Sequence, residues 1–465
     1  MAAASGKRLI DNGIAQVSTA PSVVVKLAIP NMATAGSNPL PDSGINCIEY
    51  EFTAMLNGGE QVSAKFADPH FTVYKNFINN DYFHYSRIGA LGPVKLESLM
   101  RWGTTSSLKT ASQSHVLVTM APGGTTNVCN IELLAVDYPS YFLAAGDAGG
   151  GSYAGNITAV IQQVIQRYGK GWCQLDFDAD TKDSKFNRWW QMRMDPKTFI
   201  LSLLDWSTSL SQNQTRWLLY PDGDTLIIKE QAAVESKQRA TYEWRGFGGD
   251  ADKRVGDIIE WEFIGDNALQ MLNEQMVTSG MSSISGAYFD QSMYKQDKNV
   301  VFVGDTQTGN KYKPQVDNAG KIGTATRLWK SYSKPLADSD PLSEIVGWTG
   351  IPSIPEFSAG DLGLRYKDFI DGRARGAYLA SSSTLMRMRF RVMGHHIWSG
   401  SEGLGVDTIY ITLTSSSQGG PPYFVQGNWI VYGFSHIYRP GNWVTDLYCY
   451  RLDKDATATA VGKGA

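Results

Sequence analysis

The chain has 465 residues, 42% of them hydrophobic and 19% charged, with a formal net charge of -3. At roughly 100–200 residues per domain this length suggests three or four domains, and the composition excludes a disordered chain. The charge excludes a broad basic face for duplex nucleic acid.

The N-terminal residues MAAASGKRLIDNG lack the roughly 7–15-residue apolar core of a secretory signal. No window reaches the roughly 18 apolar residues of a spanning helix. A soluble chain made in a cytoplasm, with no membrane anchor, is expected. Cys47, Cys129, Cys173 and Cys449 have neither CxxC nor zinc spacing, so buried thiols are expected rather than a disulfide framework.

Aromatic-rich short runs separated by Gly, Ser, Asn and Pro clusters read as β-structure with many turns. Residues 1–20 are small and polar and read as a flexible arm. From Pro21 to Asp137 the signal is β. Ile48, Tyr50, Phe52, Ala54 and Leu56 alternate with polar neighbours, Asn57-Gly58-Gly59 turns the chain, and Gln61–Phe66 returns, which predicts a hairpin with one apolar face. Further strands are predicted at Val94–Met100, Val116–Met120 and Val128–Val136.

After Asp137 the pattern changes. Ile157, Val160, Ile161, Val164, Ile165 and Tyr168 form one helical stripe, with Asn156 as N-cap and Gly169 as stop. A second helix is predicted from Pro196, with Asp195 as N-cap and Phe199, Ile200, Leu203 and Leu204 buried. Trp217–Ile228 reads as a hairpin turning at Asp222-Gly223. More β-structure runs to Gly265, and Asp266–Met276 reads as a short helix. Residues 278–376 are loop-rich. Leu385–Met393, Thr408–Thr414, Trp429–Tyr438 and Trp443–Arg451 read as four strands, with Arg439–Asn442 as the last turn and a flexible tail beyond.

The patterns that imitate chemistry each fail at a named position. A phosphate-binding loop needs GxxxxGK[ST]; Gly304 and Gly309 have the spacing, but Asn310 holds the lysine position and Lys311 comes one residue late. The glycine run Gly149–Gly155 precedes a helix, but the surroundings are not parallel α/β, so it reads as a hinge. Asp176, Asp178 and Asp180 match the first ligands of a calcium loop, yet Thr181 stands where Gly is needed and Asn187 where a bidentate Glu belongs. A solvated acidic loop fits better. His395 and His396 are adjacent, so a strand would point them to opposite faces, which argues against a metal cluster with Glu402 and Asp407. His436 should pack with Tyr432, Phe434 and Tyr438 on one strand face. Glu243, Glu260 and Glu262 lie on strands near tryptophans, where a glycosidase would carry its carboxylates; a polar strand face is the plainer reading. No cofactor and no catalytic residue is expected.

The C-terminal run MRFRVMGHHIWSG…DTIYITL…FVQGNWIVYGFSHIYRPGNWVTDLYCYRLD resembles the closing barrel of tail hub proteins of contractile phages and related secretion and pyocin-like machines. The positions that carry the likeness are Gly427, Trp429, Val431, Gly433 and His436 on one strand, and Trp443, Thr445, Leu447, Cys449 and Arg451 on the last. The segments from Asp137 and from Trp190 resemble that family's crossover and its helix-plus-hairpin element, in matching order along about three-quarters of the chain. Residues 278–376 have no counterpart.

The resemblance implies a mainly β (α+β) fold: two tail-tube-like antiparallel β-barrels with inserted small α/β domains. The expected organisation is an arm at 1–20, a first barrel at 21–137, a small α/β domain at 138–230 and the first part of a second barrel at 231–277. The loop-rich insertion at 278–376, closing strands at 377–455 and a tail at 456–465 complete it. It further implies a non-enzymatic baseplate hub in the virion, assembled as a homotrimer in the host cytoplasm. Its partners would be the tail tube or a tube-initiator protein, the central spike and baseplate wedge proteins. Genomic DNA would pass its lumen without specific binding. The alternatives are another tail-tip or receptor-binding protein, or a β-rich carbohydrate-active enzyme.

Overall fold

The computed structural model describes residues 19–28, 45–79, 93–104, 107–125, 128–144, 150–177, 188–191, 194–205, 207, 217–230, 238–244, 257–265, 283–288, 300–305, 312–316, 322–327, 330–335, 387–393, 398, 403–405, 407–413, 425–440 and 442–450. Strands dominate.

The first part of the chain supplies β1 (Thr19–Ala28), β2 (Ile45–Asn46), β3 (Glu49–Met55), β4 (Gly59–Ala67), helix α1 (Thr72–Asn79), β5 (Lys95–Thr104), β6 (Ser107–Thr125) and β7 (Val128–Val136). A compact α/β segment follows: α2 (Tyr138–Ala144), β8 (Gly151–Ala154), α3 (Ile157–Gly169), β9 (Gln174–Phe177), β10 (Arg188–Gln191), α4 (Pro196–Asp205), β11 (Trp217–Asp222) and β12 (Thr225–Glu230). Then come β13 (Gln238–Trp244) and β14 (Ile258–Phe263). Residues 278–376, expected to be loop-rich, contain β15 (Ser283–Tyr288), β16 (Val300–Asp305), β17 (Tyr312–Val316), β18 (Ile322–Arg327) and β19 (Lys330–Pro335), paired as two small separate sheets. The chain closes with β20 (Arg387–Met393), β21 (Thr408–Leu413), β22 (Gly427–Arg439) and β23 (Asn442–Tyr450).

Thirteen strands form one open sheet. Its path is β14-β20-β23-β22-β3-β4-β7-β6-β5-β1-β2, with β21 also paired to β22 and β13 running parallel to β21. The central join is β22 against β3, antiparallel from Gly433 opposite Met55 to Tyr438 opposite Tyr50. It unites strands from opposite ends of the chain. Period-two alternation explains why these strands pair here: Tyr50, Phe52 and Ala54 face one core with Phe434 and Tyr438, all essentially buried. Phe52 sits at the middle of the join, its ring 5.5 Å from Phe434, 6.1 Å from His436 and 5.6 Å from His115.

The hairpin expected around Asn57-Gly58-Gly59 is present, with Asn57 at φ 61 and Gly59 at φ 94. Its alternation starts later than the sequence suggested. Ile48 is 40% exposed, whereas Cys47 is buried. The chain bends between β2 and β3 and shifts the parity by one residue.

A second core collects Val116, Tyr138, α3, α4 and the sheet β11-β12-β9. Asn156 caps α3, its side chain accepting from Ala159 N at 2.9 Å, and the stripe Ile157, Val160, Ile161, Val164, Ile165 and Tyr168 is buried as predicted. Asp195 caps α4 through Thr198 N at 2.8 Å. In the β11–β12 hairpin Asp222 pairs with Thr225, so the turn is Gly223-Asp224, one residue later than expected; Gly223 has φ 60. Helices α1 and α2 were not foreseen. The expected helix at Asp266–Met276 lies outside the described residues.

The two cores meet at the β3–β4 turn. Asn57 N donates to Leu219 O at 2.9 Å, and Leu219 N donates to Asn57 Oδ1 at 3.1 Å. Lys197 Nζ donates to Gly58 O at 3.3 Å. Asp137 accepts from Glu60 N at 2.7 Å and from Ser140 N at 2.6 Å, which ties β4 to the start of α2. Burial pushes the Asp137 carboxyl above its ordinary range.

At Gly433 a Cβ would fall on Met55 Sδ and lie 3.2 Å from Ala54 O. Gly433→Val is therefore expected to destabilise the join by roughly 1–3 kcal/mol. A lowered urea midpoint with an unchanged m value is the expected readout; an unshifted midpoint would mean that the join tolerates a side chain there.

Candidate functional site at the join of the sheet

The positions singled out on the last strands divide between the two faces of the sheet. Trp429, Val431, Phe434, His436 and Tyr438 face the core from β22, and Trp443, Thr445, Leu447 and Cys449 from β23. A bulge between Val431 and Gly433 resets the alternation. It sends Tyr432 away from Phe434 and His436, to a position 6.3 Å from the Tyr448 ring and 6.0 Å from the Tyr450 ring. The expectation that Tyr432 shares their face is thus corrected. Gly427 opens β22 at φ 128, a backbone geometry suited to glycine. Arg451 lies outside the described residues.

His436 is fully buried and held at both ring nitrogens. Nε2 is 3.0 Å from Trp398 O and Nδ1 is 2.8 Å from Thr445 Oγ1. A carbonyl can only accept, so Nε2 carries the proton and Nδ1 accepts from the Thr445 hydroxyl. Burial pushes the imidazole pKa down to about 4. Its two nitrogens are committed to structure, which leaves it neither base nor ligand.

The opposite face carries a polar belt. Arg391 Nε and Nη2 donate to the two oxygens of Asp446 at 2.7 and 2.8 Å, and Nη1 donates to Glu260 Oε2 at 2.8 Å. Arg389 Nη2 reaches Glu260 at 2.7 Å and Glu262 at 2.9 Å. The hydrogen bonds to the Asp446 carboxylate raise the Arg391 pKa further above its already high ordinary value. Across β22 and β3, Ser435 Oγ lies 2.9 Å from Thr53 Oγ1 and donates to Glu51 at 3.1 Å. Ser63 on β4 donates to Glu132 on β7 at 3.1 Å. The belt crosses seven adjacent strands, β14 to β7. It was legible only in part: Arg387, Arg389 and Arg391 alternate in RMRFRVM, but their partners lie far away in sequence.

The other candidates do not converge. Glu260 and Glu262 are bound by the arginines, and Glu243 lies on β13 opposite Thr412. Asp407 pairs with Arg239, whose Nε donates at 2.6 Å and whose guanidinium stacks 4.3 Å from the Trp398 ring centre. His395, His396 and Glu402 lie outside the described residues. Asp176 sits on β9 opposite Ile227; Asp178, Asp180, Thr181 and Asn187 lie outside the description. Gly304 belongs to β16, paired on both sides, rather than to a loop; Gly309, Asn310 and Lys311 are outside. Within the glycine run, Gly151–Ala154 form strand β8, paired to β10. Among the described residues, no group of three or more His, Cys, Asp or Glu could hold a metal ion, and no helix is long and apolar enough to cross a membrane. Cys47, Cys173 and Cys449 are buried free thiols, Cys129 half-buried; burial pushes Cys47 and Cys173 up to about 12.

No family model matches the chain, and no curated protein matches it. Solved structures do. A tail protein from Neisseria meningitidis MC58 aligns with a TM-score of 0.50 at 10% identity, over 92% of this chain and 96% of the other. The chain shares the overall fold of that protein. The 43 kDa tail protein of prophage MuSo2 from Shewanella oneidensis aligns at 0.49 and 11% identity, over 93% and 99%. A type VI secretion system component of E. coli aligns at 0.40 and 8%, over 92% and 78%.

The buried neutral His436 makes stability depend on pH in a defined direction. Its pKa is lower folded than unfolded (ordinary value 6.5), so the unfolded chain binds more protons between about pH 4 and 6.5. Stability therefore falls on acidification through that window, by an amount on the order of 3 kcal/mol from this group. Replacing it in His436→Gln should remove that share, so the gap between wild-type and variant denaturation midpoints narrows as the pH falls from 6.5 to 4. A gap that stays constant would sink this assignment.

Proposed function

We propose that this chain is a structural subunit of a phage-type tail and that it forms the trimeric hub joining the tail tube to the central spike. The observation that carries the reading is the likeness in fold to a tail protein along nearly the whole of both chains. The described side chains agree with a structural role: Glu260, Glu262 and Asp407 are engaged in ion pairs with arginines, and His436 in buried hydrogen bonds.

The strand path favours two barrels that share the join of β22 and β3. On one side the run β3-β4-β7-β6-β5-β1 ends next to β2, which leads directly into β3. On the other, β14-β20-β23-β22-β21-β13 ends with Glu243 of β13 bridged to Asp257, beside the start of β14. Each run thus returns toward its own beginning, as strands rolled into a barrel do. Two such units per chain would let a trimer present six similar units to a six-fold tube, while keeping three-fold symmetry for a spike. In this reading the partners are a second and third copy, the tube or its initiator, the spike and the wedge proteins. The assembled ring lies in the virion baseplate after assembly in the host cytoplasm, and DNA passes its lumen without specific contacts.

Light scattering on the purified protein tests the proposal. A species three times the mass of the 51.1 kDa chain, alone or on addition of a cognate spike protein, is expected. A stable monomer that ignores the spike and cleaves polysaccharide would overturn it.

A further inference from the structure

The face of β5 and β6 turned away from the first core meets the α/β segment across a cleft of about 390 Å³. Direct antiparallel partners share a face. Lys95, opposite Val116, therefore stands on that side of the sheet in one row with Ser114 and Ser112. The other wall comes from two turns. One follows α3, where Lys170 at φ 48 and Gly171 at φ 83 end the helix in left-handed geometry and deliver Trp172. The other is the β11–β12 turn, where Gly223 at φ 60 precedes Asp224.

Two opposite charges line this cleft, one on each wall. The half-buried Lys95 places its ammonium 5.9 Å from the Tyr138 ring centre and 5.7 Å from that of Trp172. Ring faces hold an ammonium in position but do not replace an oxygen acceptor for its N–H groups. Among the described residues Lys95 has neither such an acceptor nor an acidic partner. On the turn, the carboxylate of the exposed Asp224 accepts from the neighbouring Thr225 hydroxyl at 3.1 Å and has no cationic partner among the described residues. The other acids of the cleft are committed: Glu60 is paired with His115 at 3.1 Å, and Asp222 has an interaction of its own.

We propose that this cleft binds a small zwitterion of the amino acid or short peptide class, with its carboxylate on Lys95 and its ammonium on Asp224. A purely anionic ligand would meet Asp224 and a purely cationic one would meet Lys95. A ligand with one end of each sign leaves neither charge opposed. The hydroxyls of Ser112 and Ser114 can each donate and accept, as a peptide group requires. Trp172, partly buried against the second core, supplies an apolar wall for the body of the ligand. The volume suits a ligand of this size, because small-molecule pockets run from roughly 300 to 1,000 Å³ and an extended tripeptide spans about 10 Å. The inference does not depend on the trimeric hub: the cleft lies within one chain.

The test uses the full-length protein and alanine, dialanine and trialanine with free ends, with binding followed by ligand-observed NMR. At least one of the three should bind, and its C-terminal amide and its N-acetyl form should each bind roughly threefold to tenfold more weakly. Lys95→Met keeps the aliphatic stem and should make the acid and the amide bind alike. Asp224→Asn, at an exposed position, should make the free amine and the N-acetyl form bind alike. No binding of any of the three at about 10 mM would overturn the proposal. So would an amide that binds as well as the acid in the wild type. An N-acetyl form that binds as well as the free amine would also overturn it, and would point instead to the C-terminus of a partner chain. These controls are read on the wild-type protein, so they decide the matter even where a variant fails to fold. None of these results bears on whether the chain trimerises, so the two readings fail separately.

Discussion

Six residue pairs, Gly433–Met55 through Tyr438–Tyr50, bind the end of this chain to its beginning. The large sheet depends on them, because among the described residues no other strand pairing connects β1–β7 with β13, β14 and β20–β23. Phe52, at the centre of the join, touches rings from both halves, and His436 beside it is locked by Trp398 and Thr445. A contact this remote in sequence carries a large closure entropy before it returns any burial. The tight packing of aromatic side chains on the core side offsets that cost.

The same join organises the opposite face. Because β22 pairs with β3 on one side and β23 on the other, arginines of β20 and hydroxyls of β22 fall on one surface with acids of β14, β3 and β23. Isolated surface ion pairs contribute little. This belt is different in one respect: Asp446 is only 4% exposed, so Arg391 is the partner that keeps a nearly buried carboxylate from being stranded.

The α/β segment is fastened to the sheet through a turn. Asn57, in a left-handed conformation, pairs with Leu219 through both its backbone and its side chain, and Asp137 holds the departing chain against β4. That fastening turns the chain away from the sheet after Val136 and into α2.

The sequence by itself determined the local elements. The stripe from Ile157 to Tyr168 with its Asn156 cap, the Asp195-Pro196 helix start, the hairpin at Asn57 and the four closing strands follow from period, capping and turn chemistry, which act over a few residues. It also disposed of the imitated motifs, since a missing lysine or glutamate is visible without coordinates. Only the tertiary structure decided what those elements meet. The bulge that turns Tyr432 outward, the parity shift that exposes Ile48, the Arg391–Asp446 pair and the join of β22 to β3 depend on register between distant strands. Alternation marks which residues share a face, but it does not say which strand lies beside which, or where one extra residue reverses the pattern.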